Sequence, residues 1–495
     1  MLLSRIIKIT SQTYQSHIVR LLLFCCLLAV TSCARIPQAP ELPNVTGYLS
    51  KKATRQLVEH WVAKDYPDTV SGRPISLTSN HSNLPTITSL TPVREFSKGD
   101  PNPESLGALS MAHSQTPPAP LAITPKSWQL TSEPATIIAR SQADGSLQLT
   151  AYDFREETTL NNHPLSARYS LPFDYIEEQE NKIAARFLAL FKPLVWAERR
   201  GFYLATAYDP DKIPLIFIHG LLSTPLDFEK MVSAIAAEPD LWDKYQFWYY
   251  FYPTGDPWVA TAAHFRKDFQ NLVQTLDPDQ NDRPLRQDTT IIAHSMGGLI
   301  SRLSLSEQSE ILYQQYFNRS LDKIRLPSYQ KKKIRDQLLF EPLSEPSRII
   351  FLATPHKGSG LAGGPLLWLA ETLVKAPATI IGTTLHTAQM LALAQPDILT
   401  QHGNALLTGN ENSVNGLKPE HPALIALESM PIRQGVKLHN IIATITGGER
   451  GLGDWVVPLK SARLESAHTE TIVRGNHQLI DDPEAHQAIF RILRE

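Results

Sequence analysis

Beyond Lys212 the chain alternates short, near-continuous apolar runs with stretches of helical character, and this alternation leaves it few architectures. The runs are Leu215-Ile216-Phe217-Ile218, Phe247 to Tyr252, Thr290-Ile291-Ile292-Ala293, Ile349-Ile350-Phe351-Leu352 and Ile441-Ile442-Ala443-Thr444-Ile445. A strand wetted on one side alternates polar and apolar residues, whereas a strand apolar throughout is covered on both faces. The pattern therefore predicts an α/β fold with a mostly parallel central sheet between helical layers. The aromatic run Phe247-Trp248-Tyr249-Tyr250-Phe251-Tyr252 fills one slot in this alternation. It reads as a buried strand rather than an exposed stacking platform.

The run ending at Ala293 passes into His294-Ser295-Met296-Gly297-Gly298 and then into the helical Leu299-Ile300-Ser301-Arg302-Leu303. Strand, sharp turn and helix form the context of a nucleophile elbow, in which the serine oxygen is exposed while the two backbones approach closely. Small residues are therefore needed two before and two after Ser295. Gly297 meets the second requirement, and Ala293 departs from the G-x-S-x-G pattern by one methyl group. A serine attacking a carbonyl also needs donors for the oxyanion that forms. The backbone N–H of Met296, at the helix start, is one. The first core strand ends in His219-Gly220-Leu221-Leu222, which resembles the oxyanion loop of lipases. That resemblance implies the Leu221 N–H as the second donor, with His219 stabilising the loop rather than acting as a base.

A base and an acid must then reach Ser295, in the chain order Ser, Asp or Glu, His, each following the carboxyl end of its strand. Gly453-Asp454-Trp455-Val456-Val457-Pro458 follows the strand at Ile441–Ile445, and Gly475-Asn476-His477-Gln478 follows an expected last strand at Thr469–Val473. Asp454 and His477 are the candidates. His468 precedes that last strand and belongs to the opposite end of the sheet. Glu449 is the alternative acid, while Asp481 and Asp482 follow the histidine and break the order. Thr354 to Gly358, with His356, reads as a structural loop bordering the site.

Together these motifs resemble the serine esterases and lipases of the α/β-hydrolase superfamily, in the bacterial lipoprotein-anchored subset. Tyr208-Asp209-Pro210-Asp211-Lys212-Ile213-Pro214, Thr354-Pro355-His356-Lys357-Gly358-Ser359 and Asp454-Trp455-Val456-Val457-Pro458 add to the likeness, which covers about residues 200–495. It implies a carboxylic ester or lipid as substrate, an acyl-enzyme intermediate and no metal or cofactor. An acyltransferase on the same scaffold is the alternative. A non-catalytic surface interaction lipoprotein is a further one.

Ahead of this region, Arg5, Lys8 and Arg20 precede an apolar run from Leu21 to Val30, too short for an ordinary spanning helix and suited to a signal peptide. Val30-Thr31-Ser32-Cys33 resembles the lipobox of bacterial lipoproteins, which implies cleavage before Cys33, lipid attachment there and a membrane partner. Ala34, lacking the aspartate associated with inner-membrane retention, directs the expectation to the outer membrane. No cysteine follows Cys33, which excludes a disulfide framework and a thiolate zinc cluster from the body of the protein. Lys and Arg number 47 against 49 Asp and Glu, a balance that gives no global attraction to nucleic acid.

Thirteen of the 37 prolines lie between Ala34 and Pro125, so residues 33–127 read as a spacer, densest at Pro117-Pro118-Ala119-Pro120 and interrupted by one helix over about Leu49 to Asp65. Residues 128–207 are expected to form a small β-rich region. It has strands at Thr136–Ala139 and Leu147–Tyr152 around an Asp144-Gly145-Ser146 turn, and a helix from Ile183 to Phe191. Residues 208–495 are the expected catalytic domain, with cap insertions at about 305–346 and 360–436. The first carries Lys331, Lys332 and Lys333 on an expected solvated helix; the second is expected to act as a lid or pocket wall.

Overall fold

The computed structural model describes residues 47–80, 86–92, 105–113, 132–154, 157, 159–166, 200–204, 208–236, 238–359, 396–405, 413–448 and 452–495. The expected signal peptide, Cys33, the Pro117–Pro120 segment, the Ile183–Phe191 helix and residues 360–395 of the second insertion lie outside them. Among the described residues no helix is long and apolar enough to cross a membrane.

The apolar runs become the inner strands of a seven-stranded sheet. Its strands are β10 (Gly201–Leu204), β11 (Ile213–Ile218), β12 (Tyr245–Phe251), β13 (Thr290–His294), β14 (Arg348–Leu352), β15 (Lys437–Thr444) and β16 (Thr469–Arg474). The order is β10-β12-β11-β13-β14-β15-β16, all parallel except β10, which runs antiparallel to β12. Helices Trp258–Leu276 and Met296–Ser304 pack on one face, while Glu229–Ala236 and Pro483–Arg494 pack on the other. This is the expected α/β architecture, the α/β-hydrolase fold with a β-rich N-terminal region.

The aromatic run divides as a doubly covered strand should. Trp248 and Tyr250 join Phe202 and Phe265 on one face, and Phe247 and Tyr249 join Phe217 and Phe228 on the other. The insertion at 305–346 folds down onto the first of these layers: Leu312, Tyr316, Ile324 and Ile334 are core residues. Lys332 and Lys333 of helix Ser328–Leu338 stay exposed, Lys332 pairing with Asp336 at 2.8 Å.

Two expected boundaries do not hold. β10 belongs to the main sheet, so residues 201–204 are part of the body assigned to 208–495. The spacer expected over 33–127 is, within the described residues, folded structure. β1 (Gly47–Tyr48), β2 (Thr69–Val70), β3 (Arg73–Ser79), β4 (Ser89–Pro92) and β5 (Ala108–His113) share one sheet with β6 (Ser132–Ser141) and β7 (Leu147–Tyr152). The order is β2-β3-β7-β6-β5-β4, with β1 on β6. Two of the spacer's prolines are described within these strands: Pro74 is the second residue of β3, and Pro92 ends the edge strand β4. A minor hairpin of β8 (Thr159–Leu160) and β9 (His163–Pro164) follows.

Helix Lys51–Ala63 covers this N-terminal sheet. Its apolar residues recur on one face, and Ser50 caps it by accepting from the Ala53 N–H at 3.3 Å. Leu57, Val58 and Trp61 pack on Ala135, Ile137 and Ala139, while Ile138, Phe154 and Leu165 turn the other way into the layer of Phe228 and Met231. The turn between β6 and β7 is the expected one, with the Asp144 carboxylate accepting from the Ser146 N–H at 2.9 Å and Gly145 at φ 86°.

Leu57 is fully buried. Leu57→Ala is expected to lower stability by about 2–5 kcal/mol in a urea titration. A residue of an unfolded spacer would give no change.

Candidate active site

Strand β13 ends at His294 and the next helix begins at Met296, so the reversal falls on Ser295, which takes φ 52° and ψ −121°. A non-glycine residue at positive φ is strained, and here the surroundings enforce it. The helix passes so close to its neighbours that a Cβ on Gly297 would lie 2.4 Å from the Ile218 carbonyl oxygen. One on Gly298 would lie 2.0 Å from Thr354 Oγ1. Ala293 is fully buried within β13, so the departure from the glycine pattern is accommodated. The Ser295 N–H donates to the Leu352 carbonyl at 2.9 Å, tying the turn to the next strand.

Two loops from more distant strands meet this serine. His477, beyond the end of β16, places Nε2 2.9 Å from Ser295 Oγ and Nδ1 2.7 Å from Asp454 Oδ2. A carboxylate can only accept, so Nδ1 carries the proton and Nε2 is free to receive one. Asp454 is 2% exposed, and its other oxygen accepts from the Val456 and Val457 N–H groups at 2.9 and 2.6 Å. The loop is tight: Gly453 sits at φ 113°, where a Cβ would lie 2.2 Å from the Val457 oxygen, and Trp455 at φ 74°. The hydrogen-bonded carboxylate is thus held in one orientation before any substrate arrives.

The loop after β11 closes on the serine from another side. A Cβ on Gly220 would lie 2.9 Å from Ser295 Cβ and 3.1 Å from His294 Nδ1. His219 is fully buried and stacks on Tyr252 at 4.2 Å between centroids. The Tyr252 hydroxyl donates to the His219 carbonyl at 2.6 Å, and the Tyr252 N–H to His219 Nε2 at 3.4 Å. His219 is therefore fixed within the loop. Neither the Leu221 nor the Met296 N–H has a hydrogen-bond acceptor among the described residues. Met296 is the first residue of its helix, where an N–H has no intrahelical partner.

The other candidates separate cleanly. His468 Nδ1 accepts from the Leu438 N–H at the start of β15, the opposite end of the sheet. Asp481 pairs with Lys230, and Asp482 caps the last helix. Glu449 and Cys33 lie outside the described residues. His356 is buried against the edge of Phe351 with Nε2 3.4 Å from Asn440 Oδ1. Its loop is fastened to the acid loop by Ser359 Oγ donating to the Val456 carbonyl at 2.5 Å. Tyr252 escapes the sequence reading as a site support, and Thr354 enters it only as part of the loop bordering the site. Tyr252 closes the aromatic run and looks like core, and nothing local in sequence marks Thr354 as the residue facing Gly298. Among the described residues no group of three His, Cys, Asp or Glu gathers as a metal site.

No family model matches the sequence, and no curated protein matches it. Solved structures do. A mature lipase from Bacillus licheniformis is similar at 16% identity over 59% of this chain and 97% of its own, with a TM-score of 0.34. A monoacylglycerol lipase from Paleococcus ferrophilus gives 11%, 59%, 98% and 0.32. An esterase from a Rhodococcus species gives 11%, 59%, 94% and 0.29. At these values the likeness carries no chemistry, which rests on the side chains described above.

Burial keeps several histidines here uncharged. Desolvation, with His477 alongside, lowers His294 to about 3; burial lowers His356 well below its ordinary value and His264 to about 4. Below about pH 6.5 the unfolded chain binds protons at these positions that the folded chain does not, so stability falls as pH falls. Asp256, pushed up to about 7 by burial, opposes one of the three. Urea midpoints should therefore drop between pH 7 and pH 5. His294→Gln should reduce that slope by one proton, about 1.4 kcal/mol per pH unit; an unchanged slope would contradict the assignment.

Proposed function

We propose that this chain is a carboxylic ester hydrolase of the esterase and lipase type, with Ser295 as nucleophile, His477 as general base and acid, and Asp454 orienting the imidazole. The observation that carries the reading is the continuous Asp454–His477–Ser295 hydrogen-bonded chain on a strained turn. In the first half-reaction Ser295 Oγ attacks the ester carbonyl carbon while His477 Nε2 takes the hydroxyl proton. The carbonyl oxygen becomes an oxyanion received by the Leu221 and Met296 N–H groups. Collapse breaks the bond to the alkoxy oxygen, which leaves with the proton from His477, and the acyl group remains on Ser295. Water then repeats the sequence, and the carboxylic acid departs with the serine restored. Asp454 holds the Nδ1–H tautomer and stabilises the imidazolium formed in each half. His219, Gly220, Ala293, His294 and Gly297 support the two turns.

The proposal extends to the protein's address. The lipobox-like Val30-Thr31-Ser32-Cys33 supports lipid attachment at Cys33, and Ala34 supports the outer membrane of a Gram-negative envelope as its site. An enzyme so tethered works beside a lipid surface, which suits a lipid ester as substrate.

The full chain in detergent should hydrolyse p-nitrophenyl esters, with an acyl-length optimum that separates esterase from lipase. Ser295→Ala should abolish turnover, and Asp454→Asn should lower kcat by roughly 10³–10⁴-fold. Product analysis with a competing alcohol separates hydrolysis from acyl transfer. Equal turnover by Ser295→Ala and the parent would remove Ser295 from the chemistry.

A further inference from the structure

The base and the nucleophile belong to strands that are not neighbours. β13 and β16 are separated by β14 and β15, so the loop carrying His477 must reach across three strand spacings, roughly 14 Å, to meet Ser295. At its root this loop is fixed by the Gly475 N–H donating to the Thr444 carbonyl at 3.0 Å. Further on it turns on itself, the Gln478 N–H donating to Asn476 Oδ1 at 2.9 Å. At His477 itself the partner of the backbone comes from the elbow: His294 Nε2 lies 2.8 Å from the His477 carbonyl oxygen. The two imidazoles are 5.0 Å apart between centroids.

We infer that His294 is the positioning residue that sets His477, and with it the oxyanion loop, in register with Ser295. Because the His477 carbonyl can only accept, His294 carries its proton on Nε2. The other ring nitrogen, Nδ1, is buried with no hydrogen-bond partner among the described residues and faces Gly220, where a Cβ would come to 3.1 Å. One rigid ring therefore touches three of the four segments that form the site: it belongs to the elbow, donates to the His477 loop and lies against Gly220 of the loop that runs on to Leu221. Its neutrality matters as well. A charged ring 5.0 Å from His477 would oppose the imidazolium that forms there in each half-reaction, and burial keeps this one uncharged. The inference rests on the proposed roles of Ser295 and His477 and adds what aligns them.

The test uses the full chain with His294→Gln, His294→Asn and His294→Leu, beside Ser295→Ala. A glutamine amide nitrogen reaches about where Nε2 lies, whereas asparagine stops near Nδ1 and leucine donates nothing. His294→Gln should keep kcat within about threefold, while the Asn and Leu variants should lose about 100-fold in kcat with KM little changed. The rate of Ser295 modification by a fluorophosphonate, which needs the same base, should fall in parallel. Near-ultraviolet circular dichroism establishes that the compared variants are folded; if His294→Leu is not, Asn against Gln decides. Parental kcat in a folded Asn or Leu variant overturns the inference, as does a Gln variant no better than Asn. In those cases a dead Ser295→Ala leaves the hydrolase reading standing. Parental turnover by Ser295→Ala overturns both.

Discussion

The turn at Ser295 is the constraint on which the site depends. A parallel strand can pass into a helix this tightly only if one residue accepts positive φ and the helix presents no side chain to the strands beside it. Ser295 supplies the first condition, and Gly297 and Gly298 supply the second against Ile218 and Thr354. Conformations of this kind cost of order 1–3 kcal/mol and persist where the surroundings over-determine them. Here the enclosing core does so, since every residue of the helix after Ser295 is buried.

The sheet order then determines what can converge on that turn. With β13 third from one edge of the parallel run, the loop after β11 is adjacent and close, while those after β15 and β16 must travel. Each distant loop carries its own brace. Asp454 is held by the Val456 and Val457 amides, and the His477 loop is held at its root by Thr444 and at its tip by His294. Ser295 is thus built on regular structure, and the side chains it bonds with are built on braced loops. Such bracing keeps a hydrogen-bonded chain of three side chains aligned without a substrate.

The main sheet was readable in the sequence because five of its strands are covered on both faces and so appear as unbroken apolar runs. The strand-end positions of Ser295, Asp454 and His477 follow from that pattern and from chain order. Other parts were not readable, for physical reasons. β10 is an antiparallel edge strand of four residues, Gly201–Leu204, too short to carry a period. β5, Ala108-Leu109-Ser110-Met111-Ala112-His113, is a strand because of its partners β4 and β6 rather than its own propensities. Among the described prolines behind the spacer expectation, Pro74 falls near the start of β3 and Pro92 at the end of the edge strand β4, a distinction that requires knowing which strand is an edge. The contact between His294 and His477 joins residues 183 apart and leaves no local trace.

The proposed function requires that Ser295 become covalently acylated through His477. Rapid quenching of the full chain with a slowly deacylating ester, followed by peptide mass spectrometry, tests it most directly. One acyl adduct per chain is expected, carried by the peptide containing Ser295 and forming in a burst before steady turnover. Steady turnover with no adduct, or an adduct on a different residue, would contradict it.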